Sequence, residues 1–185
     1  MKIGSFLLVA MTLIASAAQA AHWSVDYAKS RLSFTVQWSG QPFVATFKSW
    51  KADIDFDPAD LARARVAARI DLASEGSDTP DNDTGLKGGD GFSTDRFPSA
   101  QFEATHFIAK GAGAYVATGT LSLHGVSRTV VLPFGLTIAG DAAHAKGHVT
   151  VLRTDFGLGT GEWAGPTPIA HEVDIDLDLT ATKTR

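Results

Sequence analysis

The segment Gly91-Phe-Ser-Thr-Asp-Arg-Phe-Pro-Ser-Ala-Gln-Phe-Glu-Ala-Thr-His-Phe107 passes from a polar, glycine-rich stretch straight into an alternating run. Phe92 and Phe97 stand among Gly, Ser, Asp and Arg, where phenylalanines left in water would waste apolar surface. Pro98 biases Phe97 toward an extended backbone and marks a turn. From Ala100 onward, Ala100, Phe102 and Ala104 fall on one face and Gln101, Glu103 and Thr105 on the other. Period two is the pattern of a half-buried strand. The stretch predicts a loop that closes over an apolar interior, followed by a strand that lines it.

The same period recurs on both sides. Leu32, Phe34, Val36 and Trp38 alternate with Ser33, Thr35 and Gln37, and Ser39-Gly40-Gln41-Pro42 reads as a turn. Phe43, Ala45 and Phe47 continue the pattern, then Trp50, Ala52, Ile54 and Phe56, until Asp57-Pro58 breaks it. Asp60–Arg65 has the composition to open a short helix, but Val66, Ala68, Ile70 and Leu72 return to period two. Tyr115–Leu123 and the run Val130, Leu132, Phe134, Leu136, Ile138 flank a tight turn at His124-Gly125. Pro133 lacks an N–H, which argues for an edge or a bulge within that second run. Ala145–Arg153 is a weaker strand. The closing strand sets Val173, Ile175, Leu177 and Leu179 against Asp174, Asp176 and Asp178. No segment sustains a helical period, so about eight antiparallel strands predict an all-β barrel or sandwich.

Two stretches interrupt the pattern. Ser74–Gly91 is rich in Gly, Asp, Ser and Thr, and predicts a short helix around Asp81–Lys87. Thr154–Pro168 is rich in Gly and Pro and contains Phe156 and Trp163.

The chain opens with Lys2, an apolar run from Ile3 to Ala15, and Ala18-Gln19-Ala20, which together read as a secretory signal peptide cleaved after Ala20. A membrane anchor would need roughly 20 apolar residues. Removing the first 20 of 185 residues leaves 165, read as one domain at 21–185 in the periplasm. Export permits disulfides, yet there is no cysteine, so packing alone holds the fold and thiol chemistry is excluded. Without Lys2 the balance is 15 basic against 20 acidic residues, a net of −5, with no basic cluster to attract nucleic acid or anionic lipid. No segment of the mature chain is long and apolar enough to span a membrane.

Read in order, four motifs resemble the YceI-like family of bacterial lipocalin-like proteins. They are Trp23-Ser-Val-Asp26 with Ser30–Phe34; Phe92, Phe97-Pro98 and Phe102; Gly119-Thr-Leu121-Ser-Leu123-His-Gly125-Val126; and Arg153-Thr-Asp155-Phe156-Gly157 with Gly159, Gly161 and Trp163. The resemblance covers essentially the whole mature chain. One departure is Asn82-Asp83, which stands where the family often has Arg-Asp. The resemblance implies an extended eight-stranded antiparallel lipocalin-like barrel with one short helix in a long loop. It implies a periplasmic carrier for a polyisoprenoid (a polyprenyl phosphate or quinone) or a similar long amphipathic lipid. It implies no catalysis, no cofactor and no metal. The alternative is an accessory role in a membrane redox system, presenting quinone to a b-type cytochrome. Whether the chain pairs into a homodimer stays open.

Candidate residues follow from the alternation taken with the resemblance. Phe34, Trp38, Phe47, Phe102, Leu121, Phe134 and Ile175 are candidates for an apolar tunnel, with Phe43 and Leu177 also inward. Phe92, Phe97 and Trp163 sit in or beside the irregular loops and are candidates for a mouth or lid. A prenyl chain offers only hydrocarbon, so its recognition is apolar contact, and hydrogen-bond specificity arises only at the head group. Arg153 and Asp155, two apart on one strand face, could act together on a ligand head group, but read first as a structural ion pair. His144 and His148 are four apart on a strand, ~13 Å, too far for one metal ion. Asp81–Gly85 misses the EF-hand pattern, having Leu86 and Phe92 at the sixth and twelfth positions, and reads as a loop or helix cap.

Overall fold

The computed structural model describes residues 21–184, so the leader assigned to residues 1–20 lies outside the described residues. The strands are β1 (His22–Val25), β2 (Arg31–Trp38), β3 (Gln41–Phe47), β4 (Trp50–Asp55), β5 (Arg65–Asp71), β6 (Glu75–Gly76), β7 (Ser99–Gly111), β8 (Ala114–Leu123), β9 (Val126–Ala139), β10 (Ala142–Leu152) and β11 (Ile169–Lys183). The α-helix α1 spans Pro80–Lys87, where the polar loop predicted it. The segment Asp60–Arg65 makes only a single 3₁₀ turn at Leu61–Arg63.

All the strands join one antiparallel sheet in the order β1-β4-β5-β7-β8-β9-β10-β11-β2-β3-β6, and β1 closes the ring by pairing with β11. β1 and β2 are halves of one stave: Val25 pairs with Ala181 and Arg31 with Asp178 of the same partner strand. The Ser30 hydroxyl bridges the break, donating to the Asp26 carbonyl and accepting from the Thr180 N–H. β3 and β4 are likewise halves of the next stave. With β5, β7, β8, β9, β10 and β11 the ring has eight staves. That decides for a closed barrel over a sandwich. Closure also leaves no long edge exposed.

The hairpins are tight. His124 and Gly125 both have positive φ between paired Leu123 and Val126, a type I′ turn whose twist suits the flanking strands. Ser39-Gly40 repeats that geometry. Pro133 falls where the proline argument placed it. β9 pairs with β10 only from Phe134 onward, so the two strands part at Pro133, and the Arg153–Phe156 3₁₀ turn packs beside the gap. The acidic stripe of β11 faces solvent and pairs with β10: Asp178 with His144 at 2.6 Å and Asp176 with His148 at 2.8 Å.

Apolar residues inside the barrel form two clusters. One holds Phe34, Phe43, Leu72, Leu86, Phe92, Phe156 and Ile169, under the two irregular loops. The other, toward the opposite end, holds Trp23, Phe56 and Phe107 against Ala104, Ala117, Ala143 and Ala181. β11 runs the length between them; its 15 residues span about 50 Å of chain.

Candidate ligand-binding site

A cavity of about 300 Å³ runs through both clusters, from Leu86, Phe92 and Trp163 at one end to Trp23, Phe56 and Phe107 at the other. Strand alternation creates it. Near mid-barrel, Ala52, Ala68, Phe102 and Leu121 form one paired row across β4, β5, β7 and β8, two small inward side chains beside two large ones. The alanines leave space that larger side chains would fill.

The sequence candidates divide by height along the barrel. Phe34, Phe47, Phe102, Leu121, Phe134 and Ile175 all border the cavity. Trp38 faces inward but lies beyond its end, packed on Phe43 at 5.3 Å and on Trp163 at 5.4 Å between ring centroids. Phe43 is buried behind Phe34 and also leaves the lining. Among the loop residues, Phe92 and Trp163 border the cavity. Phe97 does not. It packs against His124 with the rings tilted and 4.5 Å between centroids, against Gly125 of the β8–β9 hairpin and under Arg96. Residues not singled out as site candidates also line the space, notably Trp23, Trp50, Phe56, Leu86, Phe107 and Phe156. Alternation carried the signal for Trp50 and Phe56; nothing in the sequence marked their height.

The two irregular loops close one end together. Leu86 of α1 is buried over the barrel, and the Phe92 N–H donates to the Leu86 carbonyl at 2.6 Å. Gly85 lies against the Trp163 ring, where a Cβ would sit 3.3 Å from it. The Gly159 N–H donates to the Asp90 carbonyl, and the Thr160 hydroxyl to the Asp90 carboxylate. Asp83 ties the start of α1 to Ser77, accepting from its N–H at 3.0 Å and its hydroxyl at 2.6 Å. Asp81–Gly85 lies within α1 and does not cap it: the N-cap is Thr79, which makes no side-chain cap hydrogen bond.

Two buried charges sit at this capped end. The Arg153 and Asp155 pair expected from the sequence does not form. The segment is a 3₁₀ turn, not a strand face; Asp155 is exposed while Arg153 is buried. The Arg153 guanidinium donates instead to five backbone carbonyls. Nε reaches Ala170 (2.9 Å), Nη1 Leu158 (2.9 Å), and Nη2 Trp163 (2.6 Å), Gly165 (2.7 Å) and Ile169 (2.9 Å). Burial lowers its pKa from the ordinary value, and an arginine remains a cation there. Glu75, on β6, has both carboxylate oxygens buried without a hydrogen-bond partner, and Lys87 of α1 is 3.6 Å away. Burial, with the nearby charge of Asp83, pushes the Glu75 carboxyl up to about 6, against the pull of Lys87 and Lys48.

Elsewhere, His22 lies 2.9 Å from Asp55 and 3.5 Å from Asp53 on the outer wall, where Arg65 already bridges both carboxylates. No helix among the described residues is long and apolar enough to cross a membrane.

Comparison with known proteins gives a consistent neighbourhood. The model of the YceI-like domain matches residues 23–181. A UPF0312 protein of Shewanella denitrificans is 33% identical over 165 residues, 82% of this chain and 84% of that protein. The crystal structure of Burkholderia cenocepacia BcnA superposes with a TM-score of 0.83 at 31% identity, over 86% of this chain and all of that one. A polyisoprenoid-binding domain from Saccharophagus degradans superposes at 0.68 with 16% identity, over 90% of this chain and all of that one, a likeness of fold.

Proposed function

The chain belongs to the YceI-like family, and from that premise we propose that it binds a polyisoprenoid or similar long amphipathic lipid inside the barrel and carries or sequesters it in the periplasm. The observation that supports this most is the continuity of the cavity. It joins two core clusters through an apolar wall, with charged residues only near its capped end. Such a wall offers nothing to a sugar, nucleotide or peptide, but buries a hydrocarbon chain at roughly 25 cal/mol per Å². The Saccharophagus neighbour, a polyisoprenoid-binding domain by name, supports the same ligand class. The reading of residues 1–20 as a signal peptide supports the compartment. No catalytic role is assigned. Presentation of a quinone to a b-type cytochrome would use the same tunnel and is the second reading, motivated by the Arg153–Trp163 segment.

Tryptophans 23, 50 and 163 border the cavity and report on its contents. Delipidated protein titrated with long polyprenols should show a saturable fluorescence change, absent with short ones of two isoprene units. Ala68→Phe projects a ring into the mid-barrel row and should abolish that change while leaving the melting transition in place. Equal binding by the filled variant would remove the tunnel from the site.

A further inference from the structure

The Glu75 side chain is fully buried, and neither carboxylate oxygen has a hydrogen-bond partner. A carboxylate in that position is far cheaper to bury protonated than ionised. The elements packed on β6 are β3, through the Phe47–Glu75 pair, and α1. Three charged groups face the carboxyl: Asp83 and Lys87 of α1, and Lys48 just after β3. Lys87 Nζ stands 3.6 Å from Oε1, beyond hydrogen-bond reach, and Asp83 is turned to Ser77. The helix that covers Glu75 has little stability of its own. It is eight residues long, contains Gly85, and its N-cap makes no side-chain hydrogen bond. Its one buried residue is Leu86, which borders the cavity. Docking of α1 therefore closes the end of the barrel and buries Glu75 in the same movement, and lifting it undoes both.

We propose that α1 is an acid-closed lid: Glu75 beneath it couples its opening to pH, so the barrel retains its ligand in mild acid and exchanges it through the loop-capped end at neutral pH. The inference rests on the tunnel reading and adds its regulation. Closure raises the Glu75 carboxyl from an ordinary 4.5 to about 6, by burial first and the Asp83 charge second, against Lys87 and Lys48. The closed form thus holds the proton more tightly than the open one. Its advantage is present in full below pH 4.5 and is lost as the pH climbs through 6. Between pH 4.5 and 7.5 the ratio of open to closed lid rises about fifteenfold.

The protein expressed from its full sequence is loaded with a polyprenol, which has no group that titrates in this range. Its transfer to excess phosphatidylcholine vesicles is timed by tryptophan fluorescence. Release should be about fifteenfold faster at pH 7.5 than at pH 4.5. Glu75→Gln, which keeps the shape and cannot ionise, should release at the slow rate throughout. Release from the wild type that does not change with pH overturns the proposal. So does a Gln variant with the wild-type profile, which would assign the effect to another group of that end, such as His124 or Asp90. Amide exchange on the wild type, corrected for its intrinsic pH dependence, decides the matter even if the variant fails to fold. Protection of α1 and Phe92 should be lower than that of β7 and β8 at every pH, the mark of local opening, and should fall about fifteenfold over the same window. Flat protection of α1, or protection equal to that of β7 and β8, overturns the lid. Failure of the polyprenol to bind at any pH is a different result: it removes the tunnel reading, and exchange at α1 still decides the lid.

Discussion

The two ends of the cavity differ in what they bury. At the Phe56 end, rings insert between alanine walls: Phe56 meets Phe107, Tyr115 and Phe134 at 5.3 to 5.9 Å, near edge-on, and the Trp23 indole N–H donates to the Phe56 carbonyl. Every polar requirement there is met locally. At the Trp163 end, two loops tied to each other bury an arginine without a carboxylate and a glutamate without a hydrogen bond. One end is built like an ordinary core. The other retains electrostatic cost, which a fold optimised for stability alone would have removed. The contrast sets an end packed for stability against an end that carries an unrelieved polar cost.

The largest expected effect falls at the apolar end. Phe56→Ala deletes a buried ring held by three aromatic neighbours and should destabilise the barrel by about 3–5 kcal/mol, as large-to-small changes in aromatic cores do. Urea unfolding measures it. Amide protection of the loops at the Trp163 end should survive in the folded fraction, because they pack on the other cluster. Loss of protection at both ends together on Phe56→Ala would break the comparison.

The next effect belongs to Glu75. Folding raises its carboxyl from an ordinary 4.5 to about 6, so the folded chain holds this proton more tightly than the unfolded one. The stability it contributes is present in full below pH 4.5 and is lost as the pH climbs through 6, by about 2 kcal/mol. Relative to Glu75→Gln, the wild type should therefore weaken by that amount between pH 4.5 and 7.5, with amide exchange at α1 and β6 accelerating over the same window. Parallel pH profiles for the two proteins would mean that the carboxylate is solvated in the folded state.

Much of this was legible in the chain, and the unreadable part has a physical reason. Alternation on β2, β7, β8 and β11 gave the inward face, because period two is a local property of a pleated strand. It could not give height along the barrel axis. Phe34 and Trp38 therefore looked equivalent although only Phe34 reaches the cavity, and Phe97 looked like Phe92. Arg153 was misread as half of an ion pair because its partners are backbone carbonyls of residues 158–170, which carry no side-chain signature. Glu75 sits in a polar stretch that reads as solvent-exposed, and only the return of β6 onto β3 at Phe47 buries it. The signals that fail are those set by residues far apart in sequence.

The most direct test of the account is native mass spectrometry of the protein expressed from its full sequence and purified gently, followed by lipid extraction and identification. The account predicts one long-chain isoprenoid per barrel, released on denaturation. A ligand-free protein that also refuses added polyprenyl phosphate would contradict it, and would leave the cavity as unfilled packing.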